Sequence, residues 1–199
     1  MEGDSEAVDA LRWEYALAMS QVASNTLVVV DETGCRTDMT RTHGRAPRGE
    51  RLVGEAVPRN RGCVTTGIGA LTLQGITAHL EVEGGTSLEV WGRFVLERLV
   101  PVLQPGHVVV WDNLAVHRCR ALIDVIESRG ARVVFLPPYS PAFSPIEPAW
   151  SKLKALLRKW RLRSRTALGR GIELALSALS PRDAAGWFDH CGYLVAQPT

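Results

Sequence analysis

Three carboxylates, far apart in the chain, occupy positions from which a fold could gather them. Asp31 ends the run "TLVVVD" and Asp112 ends "HVVVWD". In sheets with parallel strands, ligands bind beyond the carboxyl ends of the strands. If these two strands are neighbours, the two acids lie side by side. Bare carboxylates at that distance repel, and one takes up a proton unless a cation lies between them. A hard divalent ion, Mg²⁺ or Mn²⁺, resolves the conflict and prefers oxygen donors. Glu147 is the third donor. It is reached through "FLPPYSPAFSPIEPAW", which puts five prolines into sixteen residues. Prolines bias the residues before them to extended geometry, so this path has little entropy left to lose. Pro148 suits the first turn of a helix, where its missing N–H is not needed. The stiff segment therefore delivers Glu147 at a helix start.

The neighbours of these acids have blander readings as well. Acids at strand ends are common turn formers, so a single one carries little weight. Glu32 follows Asp31 but points to the other side of the strand, which leaves it a lesser candidate. Asn113 can orient the Asp112 carboxylate or cap the next helix. His117 can contact substrate or satisfy a loop carbonyl. His43, His79, His107 and His190 have no ligand spacing. Cys35, Cys63, Cys119 and Cys191 are too scattered for a zinc knuckle and read as free thiols in a reducing compartment.

The elements that must position these groups follow from periodicity. Residues 5–23 predict an amphipathic helix with Val8, Leu11, Trp13, Tyr15, Leu17 and Val22 as apolar positions. A buried strand covers 26–31. A Gly-, Pro- and Arg-rich stretch follows, with a strand near 51–57. Residues 63–72 and 76–82 predict paired strands joined at Gln74-Gly75. A helix capped by Thr86 or Ser87 precedes the strand 107–112. A helix stopping at Gly130 and the strand 131–136 come next. Helices are predicted near 147–161, 166–178 and 181–190. Strands that begin as a meander and then alternate with helices imply a mixed sheet covered by helices. On the helix from 147, Trp150, Leu153, Leu157 and Trp160 form a core stripe, while Lys154 and Arg158 share a face with Glu147.

A length of 199 residues with 46% hydrophobic and 22% charged residues suits one globular domain with a real core. No apolar run is long enough to span a bilayer, and the acidic N-terminus lacks a signal pattern, so a cytoplasmic location is expected. The net charge is +2, but it is segregated. Residues 148–172 hold eight bases and no acid, and Arg36, Arg41, Arg45, Arg48, Arg51, Arg59 and Arg61 form a second basic stretch. Such patches suit a polyanion, because each phosphate contact releases condensed counterions.

Three stretches together carry a family resemblance: "VVVDETG", "VVVWDNLAVHR" and "LPPYSPAFSPIEPAWSKLK". They resemble the catalytic core of mariner-like bacterial insertion-sequence transposases of the DDE superfamily. The 34 residues between Asp112 and Glu147 match the spacing that family favours. "HGRAPRGER", "GIGALTLQGI" and the ending "GWFDHCGY" are similar too. Ser144 departs from the family, which usually has asparagine there. The resemblance covers roughly residues 25–195 and implies a ribonuclease H-like domain, a mixed five-stranded sheet with helices on both faces. Residues 1–24 are then an N-terminal helix and linker.

The resemblance makes Asp31, Asp112 and Glu147 the catalytic triad and the ligands of two Mg²⁺ or Mn²⁺ ions. Asp31 would bridge the ions, with Asp112 on one and Glu147 on the other. Glu32, Asn113 and His117 would support them. Lys152, Lys154, Arg158, Arg161, Arg45 and Arg48 would contact DNA. The implied reaction is hydrolysis at a transposon end followed by attack of the freed 3′-OH on target DNA at TA. The implied partners are double-stranded DNA, a second copy of the chain, and a separately encoded helix-turn-helix portion, and the implied location is beside the bacterial nucleoid. Two other readings fit the same residues: a ribonuclease H-like nuclease that never joins strands, and an inactive DNA-binding remnant.

Overall fold

The computed structural model describes residues 6–53 and 64–195. Its strands are β1 (Leu27–Cys35), β2 (Thr65–Thr72), β3 (Gly75–Glu83), β4 (Val108–Trp111) and β5 (Arg132–Phe135), which form one sheet in the order β3-β2-β1-β4-β5. The helices are α1 (Glu6–Ser20), α2 (Leu88–Phe94), α3 (Arg120–Ser128), α4 (Ile146–Trp160), α5 (Arg165–Ser177) and α6 (Pro181–His190). The first three strands are an antiparallel meander, and Gly75 at φ 99° closes its second turn. β1 then pairs parallel with β4, and β4 with β5, through a crossover that contains α3.

The valine runs are continuous because both faces of the central strands are covered. Leu27, Val29, Val108 and Val110 pack with α1, α4, α5 and α6. Val28, Val30, Val109 and Trp111 pack with α2 and α3. The architecture is thus a mixed five-stranded sheet with helices on both faces.

Several local expectations change. β1 does not end at Asp31, because β2 pairs with it as far as Cys35↔Thr65. The parallel pairing with β4 stops at Val29↔Val110, so Asp31 stands at an open end on that side alone. α1 buries Val8, Tyr15 and Met19, whereas Leu11, Trp13 and Leu17 are exposed. At 100° per residue Trp13 and Leu17 point away from that stripe. Ser87, not Thr86, caps α2 by accepting the Val90 N–H. The helix then loosens into a π turn over Val95–Leu99 and a 3-10 turn over Val100–Val102. α4 buries Trp150, Leu153 and Leu157 as expected, but Trp160 is 38% exposed. Arg161 turns left-handed there and ends the helix. Residues 51–53 are not in a strand, and the rest of the strand expected near 51–57 lies outside the described residues, as do Arg59, Arg61 and Cys63. Cys35, Cys119 and Cys191 are free thiols. Among the described residues no helix is long and apolar enough to cross a membrane.

Candidate active site

Asp31 and Asp112 stand two residues beyond the paired Val29 and Val110. Strand alternation gives Asp31 the parity of Val29, so it turns toward the layer that holds α4, where Trp150 meets it. Glu147 lies in the first turn of α4. All three acids line one cavity of about 380 Å³, together with Asn113, Leu114, Tyr139 and Ser144.

Each aspartate is held differently. Trp150 donates its indole N–H to Asp31 Oδ2 at 3.2 Å. Gly69, opposite Asp31 on β2, makes this possible. A Cβ there would lie 2.5 Å from Trp150 Cη2 and push the ring away. Burial pushes the Asp31 carboxyl up to about 7; the hydrogen bond at Glu32 opposes the shift, and the charges of Glu147, Glu32 and Asp112 add to it. Asp112 Oδ1 pairs with His117 Nδ1 and accepts the Leu114 N–H at 3.2 Å. His117 Nε2 lies 3.3 Å from Glu32 Oε1. Burial disfavours the charged imidazole, yet the hydrogen bonds and charges of Asp112 and Glu32 outweigh it and push His117 up to about 9. With both ring nitrogens protonated, His117 donates to both acids. Burial likewise tends to raise Asp112, but His117 and the Leu114 N–H hold it below the usual carboxylate range. The imidazole is almost wholly buried and stacks on Trp91 with ring centroids 3.8 Å apart.

The donor set is all oxygen, which suits a hard divalent ion. Among the described residues, however, no three acidic, histidine or cysteine side chains converge closely enough to ligate one ion. The acids share a cavity rather than a closed coordination sphere, and Glu147 is exposed.

Glu32 belongs to the opposite layer, as strand alternation requires, and reaches the site through His117. Asn113 neither orients Asp112 nor caps a helix: its Oδ1 accepts from Arg118 Nε at 2.7 Å, and Leu114 precedes the short 3-10 turn Ala115–Arg118. Ser144 is buried, and its carbonyl accepts the Glu147 N–H at 3.1 Å. Lys152 is committed to Asp183 at 2.6 Å, which ties α4 to α6 and neutralises the charge expected to face DNA. Lys154 and Arg158 lie close enough to Cys35 for their charges to act on its thiol. Arg45 and Arg161 do share a cavity, a second one of about 420 Å³, with Arg41, His43 and Arg163. Arg163 Nη1 fastens this region by donating to the carbonyls of Thr37 and Met39 at 2.8 and 2.9 Å. Arg48 is exposed and outside that lining. Sequence reasoning placed Trp150 in the core and missed its polar edge. The available signal was Gly69, since a glycine inside a strand marks a close approach.

No curated protein matches the chain by sequence. Among solved structures it is similar to the Mos1 transposase paired-end complex with left transposon end, with a TM-score of 0.68 at 16% identity over 92% of this chain and 55% of that one. The Mos1 strand transfer complex gives 0.65 at 15% identity, covering 92% and 55%. The Mos1 mariner paired end complex with Mn gives 0.64 at 16%, covering 92% and 56%. The chain spans little more than half the length of these relatives, and the likeness shows the ribonuclease H-like fold. Residues 26–168, which include Asp31, Asp112 and Glu147, match the family of DDE superfamily endonucleases, and the chain belongs to that family.

Proposed function

We propose that the chain is the catalytic part of a DNA transposase, which hydrolyses a phosphodiester at transposon ends and joins the freed 3′ end to target DNA at TA. The observation that carries this reading is the equivalent placement of Asp31 and Asp112 just beyond the paired Val29 and Val110, with Glu147 completing the lining of the cavity they share. Asp31, Asp112 and Glu147 would hold Mg²⁺ or Mn²⁺, which when bound polarises the phosphate and acidifies a water. The Mn named for one similar Mos1 complex supports the choice of ion. The transposon end named for another supports DNA as the partner.

The chain's own residues prepare the site. Trp150 orients Asp31, and His117 keeps Asp112 ionised and fixed. The cavity of Arg41, Arg45, Arg161 and Arg163 offers backbone-phosphate contacts, which position a duplex without reading its sequence. TA as the target rests on the resemblance of the three motif stretches.

The test is nicking of supercoiled plasmid with Mg²⁺ or Mn²⁺, run beside a joining assay with pre-cut 3′-OH ends. Metal-dependent nicking that disappears in Asp112→Asn, together with joined products, is the expected result. Nicking without joining would assign a hydrolytic nuclease instead. Nicking that persists in Asp112→Asn would remove the carboxylate from the reaction.

A further inference from the structure

The turn that leads from β5 to Glu147 is held from outside by residues near both ends of the chain. Arg12, on α1, donates Nε to Ser140 Oγ at 3.1 Å and Nη2 to the Tyr139 carbonyl at 2.7 Å. Asp9 accepts from Nη1 at 3.0 Å and fixes the plane of the guanidinium. Ser140 Oγ donates onward to the Pro138 carbonyl at 2.9 Å. Tyr193 donates to the Phe143 carbonyl at 2.7 Å. That bond uses its single hydroxyl proton, so Tyr15, 2.7 Å away, is the donor to Tyr193. The Tyr15 ring also packs on Phe143, with centroids 5.3 Å apart.

Prolines alone do not account for the shape of this turn. Tyr139 adopts φ 52°, a left-handed conformation that a bulky residue rarely takes. No proline follows it to dictate that geometry. Such a residue persists where its surroundings over-determine it, and Arg12 grips its carbonyl and the next side chain. Tyr139, Ser140 and Ser144 in turn line the carboxylate cavity.

We infer that Arg12 is a positioning residue: with Tyr15 and Tyr193 it braces the 138–143 turn in the conformation that sets Glu147 against Asp31 and Asp112. The inference rests on the carboxylate reading above. All three bracing residues lie outside the 26–168 span of the family match, so the brace gives both flanks of that span a part in the site.

The test compares Arg12→Ala, Arg12→Lys and Tyr193→Phe with the unaltered chain and with Asp31→Asn. Mn²⁺ affinity is measured by calorimetry well below the unfolding transition, and amide hydrogen exchange over 138–147 is measured without metal. Arg12→Ala is expected to weaken Mn²⁺ binding about 10-fold, the low end for loss of an outer-shell support. It should also speed exchange across 138–147 while leaving β4 and α3 unchanged. Arg12→Lys keeps the charge but not the fork, and should restore only part of both. Tyr193→Phe should move both readouts the same way by less. Unchanged Mn²⁺ affinity and unchanged 138–147 exchange in Arg12→Ala, whatever its melting temperature, would overturn the inference. If Asp31→Asn binds Mn²⁺ as tightly as the unaltered chain, the carboxylate reading fails, and the metal-free exchange still decides the brace. Should Arg12→Ala not fold, Arg12→Lys and Tyr193→Phe carry the same two readouts.

Discussion

Asp31 and Asp112 share a row of the sheet but answer to opposite layers. From the α4 side, a neutral indole donates to Asp31, whose carboxyl is pushed up to about 7 by burial and by neighbouring acids. From the α2 side, His117 pairs with Asp112 and keeps it below the usual range. His117 itself rests on Trp91, in a layer whose Trp91, Phe94 and Trp111 are fully buried. Asp112 is therefore ionised on a rigid base before anything binds. The charge on Asp31 depends on what arrives beside it. Two identical groups with separated proton affinities are a recurrent feature of working sites; here burial and neighbouring acids raise Asp31, whereas at Asp112 the pairing with His117 outweighs burial.

The comparison breaks first at the acids themselves. Asp31→Asn and Asp112→Asn should each lower metal-dependent nicking by at least about a thousandfold, the scale expected when several kcal/mol of charge stabilisation is lost. A loss in one variant alone would show that the row does not work as a unit. His117→Ala should lower the single-turnover rate by about 10- to 100-fold, as for other outer-shell supports, because Asp112 loses its partner while its carboxylate remains.

Smaller effects test the α4 side. Gly69→Ala forces the Trp150 ring to move and should reduce stability in urea by about 1–3 kcal/mol, as overpacked cores do. Trp150→Phe keeps much of the ring packing but removes the N–H, and should cost about 1 kcal/mol. Equal losses in the two variants would argue against the hydrogen bond as the distinguishing contact.

The remaining effect is a slope with pH. Without divalent ions, folded Asp31 holds its proton up to about pH 7, well above the usual carboxylate range. The folded state then binds more protons than the unfolded state across that window, so stability falls as pH rises through it and levels off above. Glu81, pushed up to about 7 by burial and by Glu173, adds a slope of the same sign. Melting temperatures from pH 4 to 8 should therefore flatten partly in Asp31→Asn and further when Glu81→Gln is added. Mn²⁺ should oppose the Asp31 part, because a bound cation favours the charged carboxylate.

What could be read from the chain divides along similar lines. The central strands were legible because burial on both faces leaves unbroken valine runs, and α4 because its buried side repeats at helical spacing. The last residues of β1 were not, since "ETGC" becomes strand only by pairing with β2. The three acids were visible as residue types at strand and helix ends. Their supports were not, because His117 reaches Glu32 across 85 positions and Arg12 reaches Ser140 across 128. No local pattern encodes bonds of that span. Trp150 misled for another reason: a core tryptophan and one that also donates from its edge share the same periodicity.

The unbroken course of α4 sets a length. Its 15 residues begin with Ile146, one position before Glu147, and end at Trp160, one position before Arg161. At 1.5 Å per residue the helix measures about 22 Å. In the proposed reading, the point of strand cleavage and the point where a backbone is gripped are thus a fixed interval apart, about six base pairs of duplex at 3.4 Å each. Inserting or deleting one helical turn in α4 would shift that interval by about 5 Å.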